Sequence, residues 1–88
     1  MVSSCIEITN SIGFHARPAS LLIDTARRFF STVTITKGDR TVGTDSLVAL
    51  LKLQVKQGDT VTLSADGADE DAALKCLVEL IEGKFGEN

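Results

Sequence analysis

Thr32-Val33-Thr34-Ile35-Thr36-Lys37-Gly38-Asp39-Arg40-Thr41-Val42-Gly43 is the stretch on which the fold turns. Thr32 to Thr36 alternates hydroxyl and apolar side chains and is rich in β-branched residues, which predicts a strand. Lys37-Gly38-Asp39-Arg40 reads as a turn only, and Arg40 to Gly43 as a short return strand, so the two form a hairpin. Hairpin strands are antiparallel neighbours, so the sheet built around them is antiparallel rather than a parallel sheet of crossovers.

Working outward, Ala16 to Phe30 has helical spacing, with Ala19, Leu22, Ile23, Ala26 and Phe30 as its apolar stripe. Pro18 falls in the first turn, where its missing N–H is harmless. Arg27 and Arg28 fall near the other end, where cations suit the helix dipole. Before that helix, Cys5 to Thr9 alternates as a half-buried strand, and Asn10-Ser11-Ile12-Gly13 reads as a loop. Beyond the hairpin, Ser46 to Leu53 is a short and unusually apolar helix with Ser46 as a plausible N-cap. Gln57-Gly58-Asp59 turns into a fourth strand, Thr60 to Ala65, with Val61, Leu63 and Ala65 on one face. A last helix follows Asp66-Gly67-Ala68-Asp69, buries Ala73, Leu74, Leu77, Leu80 and Ile81, and stops at Gly83. Asp69-Glu70-Asp71 reads as its solvated, dipole-favoured first turn. The order βαββαβα predicts an α+β domain, a four-stranded antiparallel sheet with three helices on one face. At 88 residues the chain has room for one domain, 1–88, with a thin core and its chemistry at the surface.

Twelve acidic residues against nine basic ones, and four aromatics, all Phe, count against a nucleic-acid binder, which needs a basic face and stacking platforms. Cys5 and Cys76 form no CxxC and no Cys/His cluster, so no metal site is expected. Reduced, packed thiols are the first expectation for them and a disulfide the alternative. The N-terminal residues lack the pattern of a signal peptide and no apolar run could span a bilayer, which suggests a cytoplasmic protein.

His15 is the only histidine. It stands between a glycine-containing loop and a proline-started helix, at or beside the N-cap. A helix start offers free backbone N–H groups and a partial positive charge, and so can hold an anion. Arg17 adds a guanidinium able to fork onto phosphate oxygens. Together, Ala16 and Arg17 are the candidate phosphate-binding residues. The positive setting disfavours imidazolium and keeps the ring nucleophilic near neutral pH. A helix-terminus interaction worth about 0.3–1 kcal/mol holds a phosphoryl group without trapping it. A cap or a partly buried ring is the alternative reading of a lone histidine here. No Ser, Cys or Asp lies at a spacing that builds a hydrolytic triad with it.

Ser46 is the second candidate, as a cap or as a phosphorylation site at a helix start. Leu47, Val48, Leu50 and Leu51 supply more apolar side chains than one buried stripe needs. They either form an exposed docking patch or are covered on both sides.

Gly13-Phe14-His15-Ala16-Arg17-Pro18-Ala19 resembles the active-site signature of the HPr family, the histidine-containing phosphocarriers of the bacterial phosphoenolpyruvate-dependent phosphotransferase system. The resemblance covers nearly the whole chain. It implies the HPr-like open-faced β-sandwich, and no cofactor. His15 would accept a phosphoryl group on Nδ1 from phosphorylated enzyme I and pass it to an enzyme IIA domain, with Arg17 assisting. Ser46 matches the serine that an ATP-dependent HPr kinase phosphorylates in one branch of the family. The first two helices would form the docking face, with Ser20, Arg27, Leu47, Leu50 and Leu51 contributing. The expected molecule is a monomeric carrier, not an enzyme, that touches neither nucleic acid nor membrane.

The sequence also departs from the sugar-system pattern. Asp45 stands where many members have a basic residue, and Asp24 and Ala49 replace positions that are often basic, which weakens steering toward acidic partners. Ile6-Glu7-Ile8-Thr9-Asn10 and Asp45 to Leu51 look closer to NPr, the nitrogen-related branch. Sugar uptake and a nitrogen-related phosphorelay both stay open. A regulatory module that binds a kinase or transcription regulator through the Ser46 helix, and a small-ligand-binding domain, are the competing classes.

Overall fold

In the structure, a computed structural model that describes residues 1–9 and 16–83, the hairpin sits on one side of a four-stranded sheet. The elements are β1 (Val2–Glu7), α1 (Ala16–Ala26), β2 (Thr32–Lys37), β3 (Arg40–Gly43), α2 (Leu47–Lys52), β4 (Thr60–Asp66) and α3 (Glu70–Glu82). The strand order is β1-β4-β2-β3, antiparallel throughout. Gly38 takes φ +64° at the first of the two turn positions, where a type II′ hairpin calls for glycine.

Register lines up the inward residues: Ile6 opposite Val61, Val33 opposite Ala65, and Ile35 between Val42 and Leu63. The opposite face is polar, carrying Cys5, Thr34, Thr36, Thr62 and Ser64. The helices cover the apolar face: α3 lies against β1 and β4, α1 against α2 and α3, and α2 against β3. Leu22, Ile35, Leu50, Leu53, Leu63, Leu77 and Ile81 form the fully buried centre between the two layers. Within α3, Ala73, Leu77 and Ile81 are buried, whereas Leu74 and Leu80 only flank the core.

Three local expectations are corrected. The first strand runs from Val2 to Glu7 rather than from Cys5 to Thr9. Ile8 is nevertheless fully buried, because its N–H donates to Asp59 O and its carbonyl accepts from Gly58 N, both at 2.8 Å. The first helix ends at Ala26, not Phe30, and Phe30 is 93% exposed rather than part of the stripe. Cys5 is exposed rather than packed, and both thiols are free.

The Asp69-Glu70-Asp71 turn is a fourth correction. Asp69 occupies the N-cap position of α3 without capping it. Its carboxylate instead reaches across the molecule and accepts from the N–H groups of Phe30, at 2.8 Å, and Ser31, at 2.9 Å, and from the Ser31 hydroxyl. Past Ala26 the N–H groups of Arg28 and Phe29 donate to the carbonyls three residues back, and Asp69 takes the next two, so the chain leaves the helix before Phe30. Gly67 is required at this junction, because a Cβ there would lie 2.7 Å from Ser31 Cα. Of the three, Asp71 is exposed and the other two are half-buried.

Candidate functional site

The described residues begin α1 at Ala16, directly after His15 in the chain. His15 itself, and the loop expected over Asn10 to Gly13, lie outside the described residues. Ala16 and Arg17 are exposed, while Pro18 and Ala19 are buried and seat the first turn on the core. The N–H groups of Ala16 and Arg17 have no acceptor within the helix, and Pro18 carries none. The start of α1 therefore combines backbone donors, the positive end of an eleven-residue dipole and a solvent-facing guanidinium. That arrangement can hold a dianionic group at the surface, open to transfer.

Arg17, Ser20, Leu21 and Asp24 are exposed at helical spacing and make one outward stripe along α1. Arg27 and Arg28 are also exposed, but in the turn beyond the helix rather than in its last turn. Beside that stripe, α2 shows Val48, 60% exposed, with Leu51 exposed and Leu47 half-buried. The apolar surplus of α2 is thus divided between core and solvent. Leu50, expected among the docking residues, is fully buried and touches no partner directly: it is the residue that fastens α2 to the core. Leu21 and Val48 are exposed apolar residues on the same side that the expected docking set lacked. The i, i+4 spacing of Leu21 from Arg17 was the available signal for the first.

Ser46 caps α2. Its backbone is extended, and its Oγ accepts from Ala49 N at 3.3 Å. Asp45, just before it, is exposed. The other end of α2 is closed by Gln54, the one non-glycine residue with positive φ (+57°) among the described residues. Lys37 Nζ donates to its carbonyl at 2.6 Å and pairs with Asp59 at 3.0 Å. The Lys56 N–H and Lys37 together hold the Asp59 carboxyl below its ordinary value. The helix that presents the apolar patch is therefore tied at both ends, once to its own backbone and once to the hairpin.

No group of three or more His, Cys, Asp or Glu that could hold a metal ion occurs among the described residues, and no helix among them is long and apolar enough to cross a membrane.

Known proteins bear on this arrangement. The family model PTS-HPr, described as the PTS HPr component phosphorylation site, matches residues 2–83. The phosphocarrier protein HPr of Neisseria meningitidis is 41% identical over 87 residues, covering 99% of this chain and 98% of that protein. The phosphocarrier protein NPr of Shewanella violacea is 38% identical over 82 residues, covering 93% and 90%. Among solved structures, HPr-C-His from Thermoanaerobacter tengcongensis superposes with a TM-score of 0.95 at 46% identity, covering 100% of this chain and 99% of that one.

Proposed function

Because this chain belongs to the HPr family of phosphotransferase-system phosphocarriers, which carry a phosphoryl group rather than catalyse a reaction, we propose that it relays that group through His15 from phosphorylated enzyme I to an enzyme IIA domain. The observation that supports this most is the exposed Arg17 in the first turn of the helix that follows His15, inside a chain matched to the family over nearly its full length. His15 Nδ1 offers its lone pair to phosphorus. The N–P bond forms as the bond to the enzyme I donor breaks, and the donor group leaves with the electron pair. The Ala16 and Arg17 N–H groups and the Arg17 guanidinium face the phosphoryl oxygens, and handing the group to enzyme IIA reverses these steps. Ser20, Leu21, Val48 and Leu51 form the surface against which both partners rest. A cytoplasmic location belongs to this reading.

Phosphoenolpyruvate with enzyme I is expected to add one acid-labile, base-stable phosphate, and His15→Ala to abolish it. Labelling retained in that variant would sink the assignment. Arg17→Ala is expected to fold normally and to slow transfer by about tenfold to a hundredfold, the worth of a charge-assisted contact. An unchanged rate removes the guanidinium from the chemistry.

The sugar branch is the first assignment. The nitrogen-related branch is the second, supported by the NPr relative and by Asp24, Asp45 and Ala49 on the docking side. Transfer rates to enzyme IIA domains of the two branches, measured side by side, decide between them. Ser46 is the candidate regulatory site, for an HPr kinase or for a transcription regulator that reads the modified helix. Phosphate there would displace the cap bond and sit beside Asp45, two effects that oppose it. Mass spectrometry of protein isolated from cells locates phosphate on His15, on Ser46 or on both.

A further inference from the structure

Lys37, the last residue of β2, places its ammonium where three parts of the chain meet. On one side Nζ donates to the Gln54 carbonyl at 2.6 Å, just past the end of α2. On the other it pairs with the Asp59 carboxylate at 3.0 Å, both side chains half-buried. Asp59 shapes the Lys56–Asp59 turn: its carboxylate accepts from Lys56 N at 2.9 Å and its own N–H donates to Lys56 O at 3.0 Å. That turn carries the chain just after β1. Ile8 makes backbone bonds of 2.8 Å to both Gly58 and Asp59, and Gln57 Nε2 donates to Thr9 O at 3.2 Å. Thr9 is the last described residue before the stretch that carries His15.

No regular element holds these pieces to one another. At six residues α2 is too short to keep its own place, and residues 53–59 belong to no helix or strand. Leu53 and Val55 are buried and set how deep the segment lies. Gln54 between them is exposed with positive φ, and among the described residues Lys37 Nζ is the one donor to its carbonyl. We propose that Lys37 is a positioning residue for phosphoryl transfer, holding α2 through Gln54 and the approach to His15 through the Asp59 turn, a role that rests on the phosphocarrier reading of His15. Lys37 touches no phosphoryl group in this role. One cation fixes both the Val48 and Leu51 patch on which a partner rests and the backbone from which the His15 stretch departs. The two have to keep one spacing, because a donor seated on α2 reaches His15 only if the distance between them is right. Without the ammonium, Gln54 O loses its donor and Asp59 its ion pair, while the buried Leu53 and Val55 keep the fold intact.

The test uses the full chain as the acceptor of phosphoenolpyruvate-charged enzyme I, with kcat and KM measured for the wild type, Lys37→Met, Lys37→Arg and Asp59→Asn. Lys37→Met is expected to lower kcat/KM by about tenfold, since small misplacements of remote groups slow transfer strongly. Lys37→Arg keeps the charge and the donors and should stay within about twofold of wild type. Asp59→Asn keeps an acceptor for Lys56 N and leaves the Gln54 bond, so it should lower kcat by about threefold with KM unchanged. A Lys37→Met carrier within about twofold of wild type overturns the proposal. So does a Lys37→Arg carrier as slow as Lys37→Met, or a slowing that only tracks the unfolded fraction seen by circular dichroism. An unchanged kcat in Asp59→Asn overturns the Asp59 arm. Failure of the carrier reading looks different: the wild type then takes no phosphate, or His15→Ala still takes one, and the role of Lys37 falls with it.

Discussion

Asp69 and Gln54 are single residues that determine how neighbouring elements meet. The Ser31 hydroxyl, first, and the Phe30 N–H hold the Asp69 carboxyl below its ordinary value of 3.8. Asp69→Asn replaces an acceptor by an amide donor facing N–H groups. It is expected to lower the urea midpoint while leaving the far-UV signal of α3 intact, since Asp69 makes no cap bond. Loss of α3 helicity in that variant would show that the carboxylate works as a cap after all. Gln54 sits just past α2 in the left-handed region, where a side chain is strained and glycine is not. Gln54→Gly is expected to stabilise the protein by about 0.5–1 kcal/mol in urea unfolding, the relief of strain exceeding the added freedom of the unfolded chain. The roles of Pro18 in the first turn and Ser46 at the cap were legible, because each is set by neighbours within four residues. The role of Asp69 was not: its partners are 38 and 39 residues away, and no local pattern records them.

Among the elements, α2 shows what periodicity can and cannot tell. At six residues it is too short to be stable alone. Its apolar run announced a helix with surplus hydrophobic surface but did not say which leucine faced inward. Leu50→Ala is expected to cost about 2–4 kcal/mol, read from denaturant midpoints, because a fully buried side chain leaves a cavity. Val48→Ser, on the outward side, should stay within about 0.5 kcal/mol of wild type and yet slow phosphoryl transfer. If both variants leave transfer untouched, α2 is not the docking surface. The hairpin and β4 were legible from alternation alone. The end of α1 was misread because helical spacing continues through Phe30, while the competing acceptor is Asp69, just before α3.

At the scale of the whole molecule, three carboxylates share one direction of shift. Asp59, Asp69 and Glu70 are all held below their ordinary values, Glu70 first by the Gly67 N–H and then by the N-terminal ammonium. A group whose folded pKa is depressed contributes stability that is complete above its unfolded value and is lost as pH falls through the folded one. Stability is therefore expected to hold at neutral pH, to begin falling as pH drops past 4.5 for Glu70, and to fall more steeply past 3.8 for the two aspartates. Urea midpoints across this range check it, and Asp69→Asn should flatten the slope. The sequence pattern implied one antiparallel sheet with helices on one face, but strand order is a property of long-range pairing that no single segment carries. That order has a consequence for how the chain is made. Of the four strands β1 is synthesised before the others, yet among the described residues its partner in the sheet is β4, Val2 facing Ala65 and Glu7 facing Thr60. At ribosomal speeds the opening strand waits roughly 3–12 s for its partner to appear, whereas the β2–β3 hairpin can close within microseconds of emerging. The earliest of the four strands is the last to be stitched into the sheet, and until then the nascent chain holds the apolar side of that strand in the open.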